Sequence, residues 1–328
     1  MISNSGPGDR AKRPGRRYRS AAALALGLVV AACTGRGSAE ASFCRGGRQT
    51  GRLPPDLSES SGVAASRRHP GVLWTHNDSG DEPVVYAIDS AGAVLSRVRV
   101  AGAENADWED IALGPCPAGD CLYIADTGDN EETRREVVVY RVPEPAPGDT
   151  VTAPAERFRA RFPDAPQDAE ALFVLPRGEV FLVTKGRSRP VAVYRYPRPL
   201  GDAEGPGPKA KAVELERVQQ LTPGPAPLID GQVTGAAATP DGRWVAIRTY
   251  STLLLYRVER QGRLTLVVEW PGVELRTLGE RQGEGVELLS DGTVLLTSES
   301  GAGGEPAPIS RLSCPLQGAL RPRRAANA

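Results

Sequence analysis

The sequence predicts an all-β protein and, within that class, a five-bladed β-propeller. Three observations carry this. Short apolar runs rich in β-branched and aromatic residues recur along the chain, the composition of strands. Each is preceded by a turn of the kind that joins antiparallel strands. The unit built from them starts at residues 61, 109, 170, 234 and 284, at intervals of 48, 61, 64 and 50 residues. That period suits a propeller with four short strands per blade.

The first strands read Ser61-Gly-Val-Ala, Glu109-Asp-Ile-Ala, Glu170-Ala-Leu-Phe, Thr234-Gly-Ala-Ala and Glu284-Gly-Val-Glu. Turns follow at His69-Pro-Gly, Pro117-Ala-Gly-Asp, Pro176-Arg-Gly, Pro240-Asp-Gly and Ser290-Asp-Gly, and second strands begin at Val72, Cys121, Val180, Trp244 and Val294. Third strands carry Tyr86, Tyr140, Tyr194 and Tyr256, whose recurrence marks them as packing residues between blades. Fourth strands are expected at 95–100, 157–162, 213–219 and 264–269. The last unit stops after Ile309–Cys314, so Arg48–Leu53 is expected to supply its fourth strand and remove an unpaired sheet edge. A sixth blade is the alternative, because 187–231 is long and rich in Pro and Gly. The propeller is expected over 48–316, with a basic tail at 317–328.

Several segments resemble a group of exported bacterial β-propeller proteins, similar in fold to the WD40, NHL and SMP-30/lactonase propellers. They are Thr239-Pro-Asp-Gly, the Asp126-Thr-Gly-Asp-Asn loop, Trp108-Glu-Asp-Ile-Ala and Asp168-Ala-Glu-Ala-Leu. The resemblance covers about 57–314 and implies the fold; its motifs are structural, and the lactonase metal site has no residue-by-residue match.

The chemistry concentrates on one face. In an up-and-down blade the start of the first strand lies beside the end of the second, so both should ring the channel mouth. That places Glu109, Glu170 and Glu284 there, with Asp107 and Asp168 two residues earlier and Asn77, Asp78, Lys185, Arg248 and Glu299 at second-strand ends. So many like charges need a counter-charge, because carboxylates sharing a site raise one another's pKa. Lys185 and Arg248 are one candidate. A hard cation such as Ca²⁺, which takes 6–8 oxygen ligands, is the other, with Asp126, Asp129 and Asn130 as the densest run of oxygen donors. The favoured function is binding of a small molecule, glycan or protein partner at this mouth. The alternative is a hydrolase using the carboxylates as general acid and base. No GxSxG elbow, phosphate-binding loop or HExxH motif occurs, and Gly301-Ala-Gly-Gly-Glu-Pro is not a dinucleotide fingerprint. His69 and His76 are the two histidines, read as local packing or hydrogen-bonding groups.

Residues 1–32 read as an export signal, with six basic residues before an apolar run at 21–32 that is too short to span a bilayer. The run ends Val30-Ala31-Ala32-Cys33, resembling the bacterial lipobox, so Cys33 is expected to carry a lipid anchor into the cell envelope, followed by a tether over 33–47. Arg16-Arg17 is a poorer fit to a twin-arginine signal. Loss of 1–32 leaves 34 basic against 39 acidic residues, which argues against nucleic acid as a partner. Four cysteines remain, an even number consistent with export. Cys116 and Cys121 flank a short turn, and Cys44 and Cys314 lie near opposite ends of the mature chain; each pair is expected to be disulfide-bonded.

Overall fold

The computed structural model describes residues 43–201, 211–267, 272–300 and 304–316. The signal at 1–32, Cys33 and the tail at 317–328 lie outside them. The described chain is all-β, with only short 3₁₀ turns between strands. It begins with β1 (Arg45–Arg52), so strand geometry starts inside the segment assigned to the tether.

Blade 1 is β2 (Ser60–Ala65), β3 (Leu73–Asn77), β4 (Val84–Ile88) and β5 (Val94–Arg99). Blade 2 is β6 (Trp108–Cys116), β7 (Gly119–Asp126), β8 (Val137–Pro143) and β9 (Glu156–Arg161). Blade 3 is β10 (Ala169–Val174), β11 (Val180–Thr184) and β12 (Ala192–Arg195). It is completed by β14 (Glu216–Gln220), which follows the two-residue β13 (Val213–Glu214). Blade 4 is β15 (Val233–Ala238), β16 (Trp244–Thr249), β17 (Thr252–Val258) and β18 (Leu264–Leu266), with β19 (Val273–Glu274) also pairing β17. Blade 5 is β20 (Gln282–Leu288), β21 (Thr293–Glu299) and β22 (Pro308–Ser313), and its outer strand is the N-terminal β1, antiparallel to β22. The inner strands β2, β6, β10, β15 and β20 each contact the next, and β20 contacts β2, so they form a closed ring.

The core is five seams, one per blade junction, because each sheet is apolar on both faces and must cover both. Four seams contain the recurring tyrosine of the following blade. Tyr86 packs with Leu295 and Ile309, Tyr140 with Trp74 and Val85, Tyr194 with Tyr123 and Val139, and Tyr256 with Phe173 and Phe181. Each is thus a packing residue facing the preceding blade, as its repetition implies.

One strand differs from expectation. The 213–219 run is not one strand of blade 3, because β13 pairs parallel with β9 of blade 2 before β14 crosses to β12. Leu215, buried between them, donates its amide to the Arg161 carbonyl at 2.9 Å, so the chain clips blade 3 to blade 2.

Both expected disulfides are present, Cys44–Cys314 and Cys116–Cys121. The first joins residues 270 apart in sequence and, in the chain-entropy model, stabilises by roughly 5 kcal/mol. Cys314 donates its amide to Gly292 in the β20–β21 turn, which places Cys44 and Cys314 at the lower end of the channel.

Candidate functional site

A repeated backbone irregularity builds the upper mouth. All five inner strands shift register against their neighbours near the upper end: between Ser60 and Val63, Trp108 and Asp110, Ala169 and Ala171, Val233 and Gly235, and Gly283 and Val286. Such bulges leave one residue unpaired and re-aim its side chain. In blades 2, 3 and 4 the unpaired residues are Glu109, Glu170 and Thr234. A repeated hydrogen bond braces the bulges. The residue after each second strand, or one further on, donates its amide to the residue two before the repeat start: Asp78 to Glu59, Thr127 to Asp107, Lys185 to Asp168 and Tyr250 to Gln232.

The acids converge. Asp78, Asp107 and Glu109 each bring a carboxylate oxygen within 4.8 Å of the other two, and so do Glu109, Asp168 and Glu170. Glu109 is shared, so one buried carboxylate joins acids from blades 1, 2 and 3. Gly128 explains part of the Asp126-Thr-Gly-Asp-Asn loop, since a Cβ there would collide with the Glu109 and Asp107 carboxylates. Two cations reach this group: Lys185, 2.6 Å from Glu170 Oε1 and 3.8 Å from Asp168 Oδ2, and the Arg187 guanidinium, 3.9 Å from Asp168 Oδ2. Asp168 is buried, its Oδ1 accepts the Asp129 amide at 2.9 Å, and its Oδ2 has no hydrogen-bond donor.

The electrostatics follow from burial first and like charge second. Burial, then Glu170, Asp78 and Asp107, push Glu109 well above the usual carboxylate range. Burial raises Glu170 to about 8 against the opposing pull of Lys185. It lifts Asp78 to about 6 and Glu299 to about 7, and raises Asp107. Glu284 is raised well above its ordinary value by burial, then by Glu170 and Glu299. Burial alone would lower Lys185, but Glu170 outweighs it and holds the ammonium charged. At neutral pH the mouth therefore combines protonated and ionised carboxyls around the Lys185 ammonium and the Arg187 guanidinium.

The other expected site residues lie elsewhere in the mouth. Arg248 is fully buried and pairs with Glu280 at 2.8 Å while donating to the Gly285 carbonyl at 3.0 Å, which ties blade 4 to blade 5. Asp126 pairs with Arg134 at 2.8 Å, and Asp129 accepts the Arg134 amide at 2.7 Å. Asn130 accepts from Arg187 at 2.9 Å. Asp126 and Asp129 belong to neither converging group of acids. Asn77 donates to the Asp56 carbonyl and accepts the Glu59 amide, which orders the chain entering blade 1. His76 is buried edge-on against Trp108, and burial lowers its pKa to about 4, so it stays neutral.

Three features escaped the sequence reading. Glu280 and Arg134 lie in connecting loops outside the repeat. Tyr250 sits at the mouth, its pKa raised by burial and then by Glu284; its position beside the second-strand end of the fourth unit was the available signal. The third is an apolar prong. The loop before β15 carries Pro223, Pro225 and Pro227, which restrict its backbone. It is pinned by the Ala226 amide on Gly186 O at 2.7 Å and by Ser251 Oγ on Asp230 O at 3.2 Å, so it flanks Lys185 and Tyr250. Its tip, Leu228 and Ile229, is 69% and 66% exposed, against 46% or less for every other exposed large hydrophobic among the described residues.

Fold and site together define a five-bladed β-propeller with a converging acidic mouth. No protein-family model matches the chain, and no curated protein does. Several solved structures are similar to it at low identity. The PQQ-bound aldose sugar dehydrogenase of Streptomyces coelicolor is 14% identical over 82% of this chain and 98% of its own, at a TM-score of 0.44. A gluconolactonase of Xanthomonas campestris is 13% identical over 84% and 96%, at 0.43. The periplasmic gluconolactonase of Pseudomonas aeruginosa is 16% identical over 77% and 72%, at 0.39.

Proposed function

We propose that this chain is an exported, lipid-anchored propeller that binds a ligand or protein partner at its acidic mouth, with a divalent cation held among the carboxylates. The observation that carries the cation is the imbalance at Glu109. Five acids converge there, Lys185 and Arg187 are the cations that reach them, and a buried Asp168 oxygen lacks a hydrogen-bond donor. An all-oxygen donor set suits Ca²⁺ better than a soft metal. Asp78, Asp107, Glu109, Asp168 and Glu170 would hold it, and the ion would supply positive charge that an anionic or hydroxyl-bearing ligand can share. The prong at Leu228 and Ile229, beside Lys185, adds an apolar contact for that ligand and favours binding as the role. The two disulfides suit an oxidising compartment, and the lipobox at Cys33 supports the anchor.

Thermal melting of the chain lacking residues 1–33 tests the cation. Ca²⁺ should raise the melting temperature by an amount that grows with its concentration, as linkage requires. Glu170→Ala should abolish that rise and leave the fold intact. No response to Ca²⁺, Mg²⁺ or Mn²⁺ rejects the cation and leaves protons and Lys185 as the counter-charge.

A second reading, hydrolysis, is favoured by one observation: Glu170 near 8 and Glu299 near 7 hold protons near neutral pH while Asp78 lies lower at about 6, the spread that a general acid and a general base need. A panel of lactone, ester and phosphoester substrates, with Glu170→Gln as the control, separates a hydrolase from a binder.

A further inference from the structure

We infer that the propeller stands on the membrane by the lower end of its channel, with the acidic mouth facing away from the bilayer. This rests on the lipid anchor at Cys33 proposed above; the orientation is a separate consequence of the fold.

The topology supplies the first argument. The chain joins the propeller at Cys44, which is disulfide-bonded to Cys314, and Cys314 donates its amide to Gly292 in the β20–β21 turn. Cys44, Cys314 and Leu316 are buried in the apolar seam between blades 4 and 5, with Phe43 packed against it. The attachment point is therefore covalently and sterically locked to the lower end, opposite Glu109, Glu170 and Glu284. Six steps of β20, from Gln282 at the mouth to Leu288 below, separate the two ends by about 20 Å at strand spacing.

The length of the connecting chain supplies the second. Residues 34–43 lie between Cys33 and Cys44, and eleven Cα–Cα steps span at most about 40 Å when fully extended. Resting the lower end on the bilayer demands no particular extension. Resting the mouth on it would stretch the connection around the outside of a blade for more than half of that reach, at a cost in conformational freedom.

Charge supplies the third. The lower turns carry exposed Arg67, Arg68, Arg177, Arg198, Arg243 and Arg260 in near balance with acids such as Asp149, Glu179, Asp241, Glu259 and Asp291. The mouth concentrates acids in excess of the cations among them, Lys185, Arg134 and Arg187. Anionic lipid repels the acidic mouth, whereas the charge-balanced lower end carries no such penalty and presents its arginines within a Debye length of a bilayer beneath it. The partner surface at the lower end is thus an anionic bilayer, and the mouth with its Leu228–Ile229 prong is left free for ligand.

The test uses the full lipidated chain on vesicles containing anionic lipid. Arg177→Cys below and Leu228→Cys above each add one free thiol for a fluorophore, since the four propeller cysteines are disulfide-bonded. With headgroup-spin-labelled lipid, the label at 177 should lose fluorescence and the label at 228 should keep it. Quenching at 228, or equal quenching at both, overturns the orientation. Flotation of the same preparations separates the two claims. A chain that does not float, or whose Cys33→Ser form still floats, overturns the anchor and the inference with it. A chain that floats through Cys33 with 228 quenched overturns the orientation alone.

Discussion

The two ends of the channel both hold carboxylates out of bulk water and treat them in opposite ways. At the lower end, Glu287 is the acid lining a cavity of about 70 Å³ walled by Val63, Ile111, Val174 and Ala237. Its Oε2 accepts the Ala65 amide at 2.7 Å and its Oε1 the Leu288 amide at 2.8 Å, so it ties blade 1 to blade 5. Within the ring, Asp110 accepts amides from Ile111 at 2.8 Å, Leu172 at 2.8 Å and Ala236 at 3.1 Å, joining blades 2, 3 and 4. These acids are satisfied by backbone. At the mouth, Glu109, one residue from Asp110, meets other carboxylates instead. The difference teaches that burial alone does not mark a site. What marks it is charge that the fold leaves without enough donors.

The comparison breaks most visibly at Asp110. Asp110→Ala would strand three amides of three blades and should destabilise the chain by about 4 kcal/mol, at ~1–3 kcal/mol per stranded group. Asp110→Asn, which keeps an acceptor oxygen, should cost clearly less. Urea unfolding of both variants measures this, and equal stability of Asp110→Ala and wild type would deny the strut.

The mouth should show itself next in the pH dependence of stability. Glu170 near 8, Glu299 near 7 and Asp78 near 6 all lie above their unfolded values. The folded chain then binds more protons than the unfolded chain between about pH 4 and 8, so stability is highest at the acidic end of that window and falls as pH rises through it. A melting series without divalent ions should decline from pH 5 to 8. Saturating Ca²⁺, which competes with those protons, should flatten the decline. A profile that rises toward pH 8 in the absence of metal would contradict the crowding of these acids.

Glu109→Gln sharpens the contrast with the smallest effect. Burial and like charge hold Glu109 well above the usual carboxylate range, so folding at neutral pH must protonate it. A neutral amide avoids that cost and should stabilise the metal-free chain by on the order of 1 kcal/mol, opposite in sign to Asp110→Ala. The same variant should lose the Ca²⁺ response. Destabilisation by Glu109→Gln would make it a strut like its neighbour.

Much of this was legible before the structure. The five repeat starts at 61, 109, 170, 234 and 284 mark the five inner strands, and the tyrosines mark the seams, because a blade is a local unit and every copy must solve the same packing problem. Asp107, Glu109, Asp168, Glu170 and Lys185 were readable as mouth residues from repeat position alone. Arg248 was readable as a position but not as a role, because its partner Glu280 comes from a loop no repeat predicts. The Asp126–Asn130 loop was readable as a run of oxygen donors but not by its partners, Arg134 and Arg187, which come from outside the pattern.

By itself, then, the sequence determined the architecture, the acidic end of the channel and the cysteine pairs, since these follow from period, composition and count. Tertiary structure alone decided which acids meet. Strand alternation would send Glu109 and Asp110 to opposite faces of a regular strand. The bulge instead aims one at the mouth and leaves the other to collect amides from two further blades. Those contacts span up to 126 residues of sequence, a distance over which no local pattern carries information, and they exist only once the ring has closed.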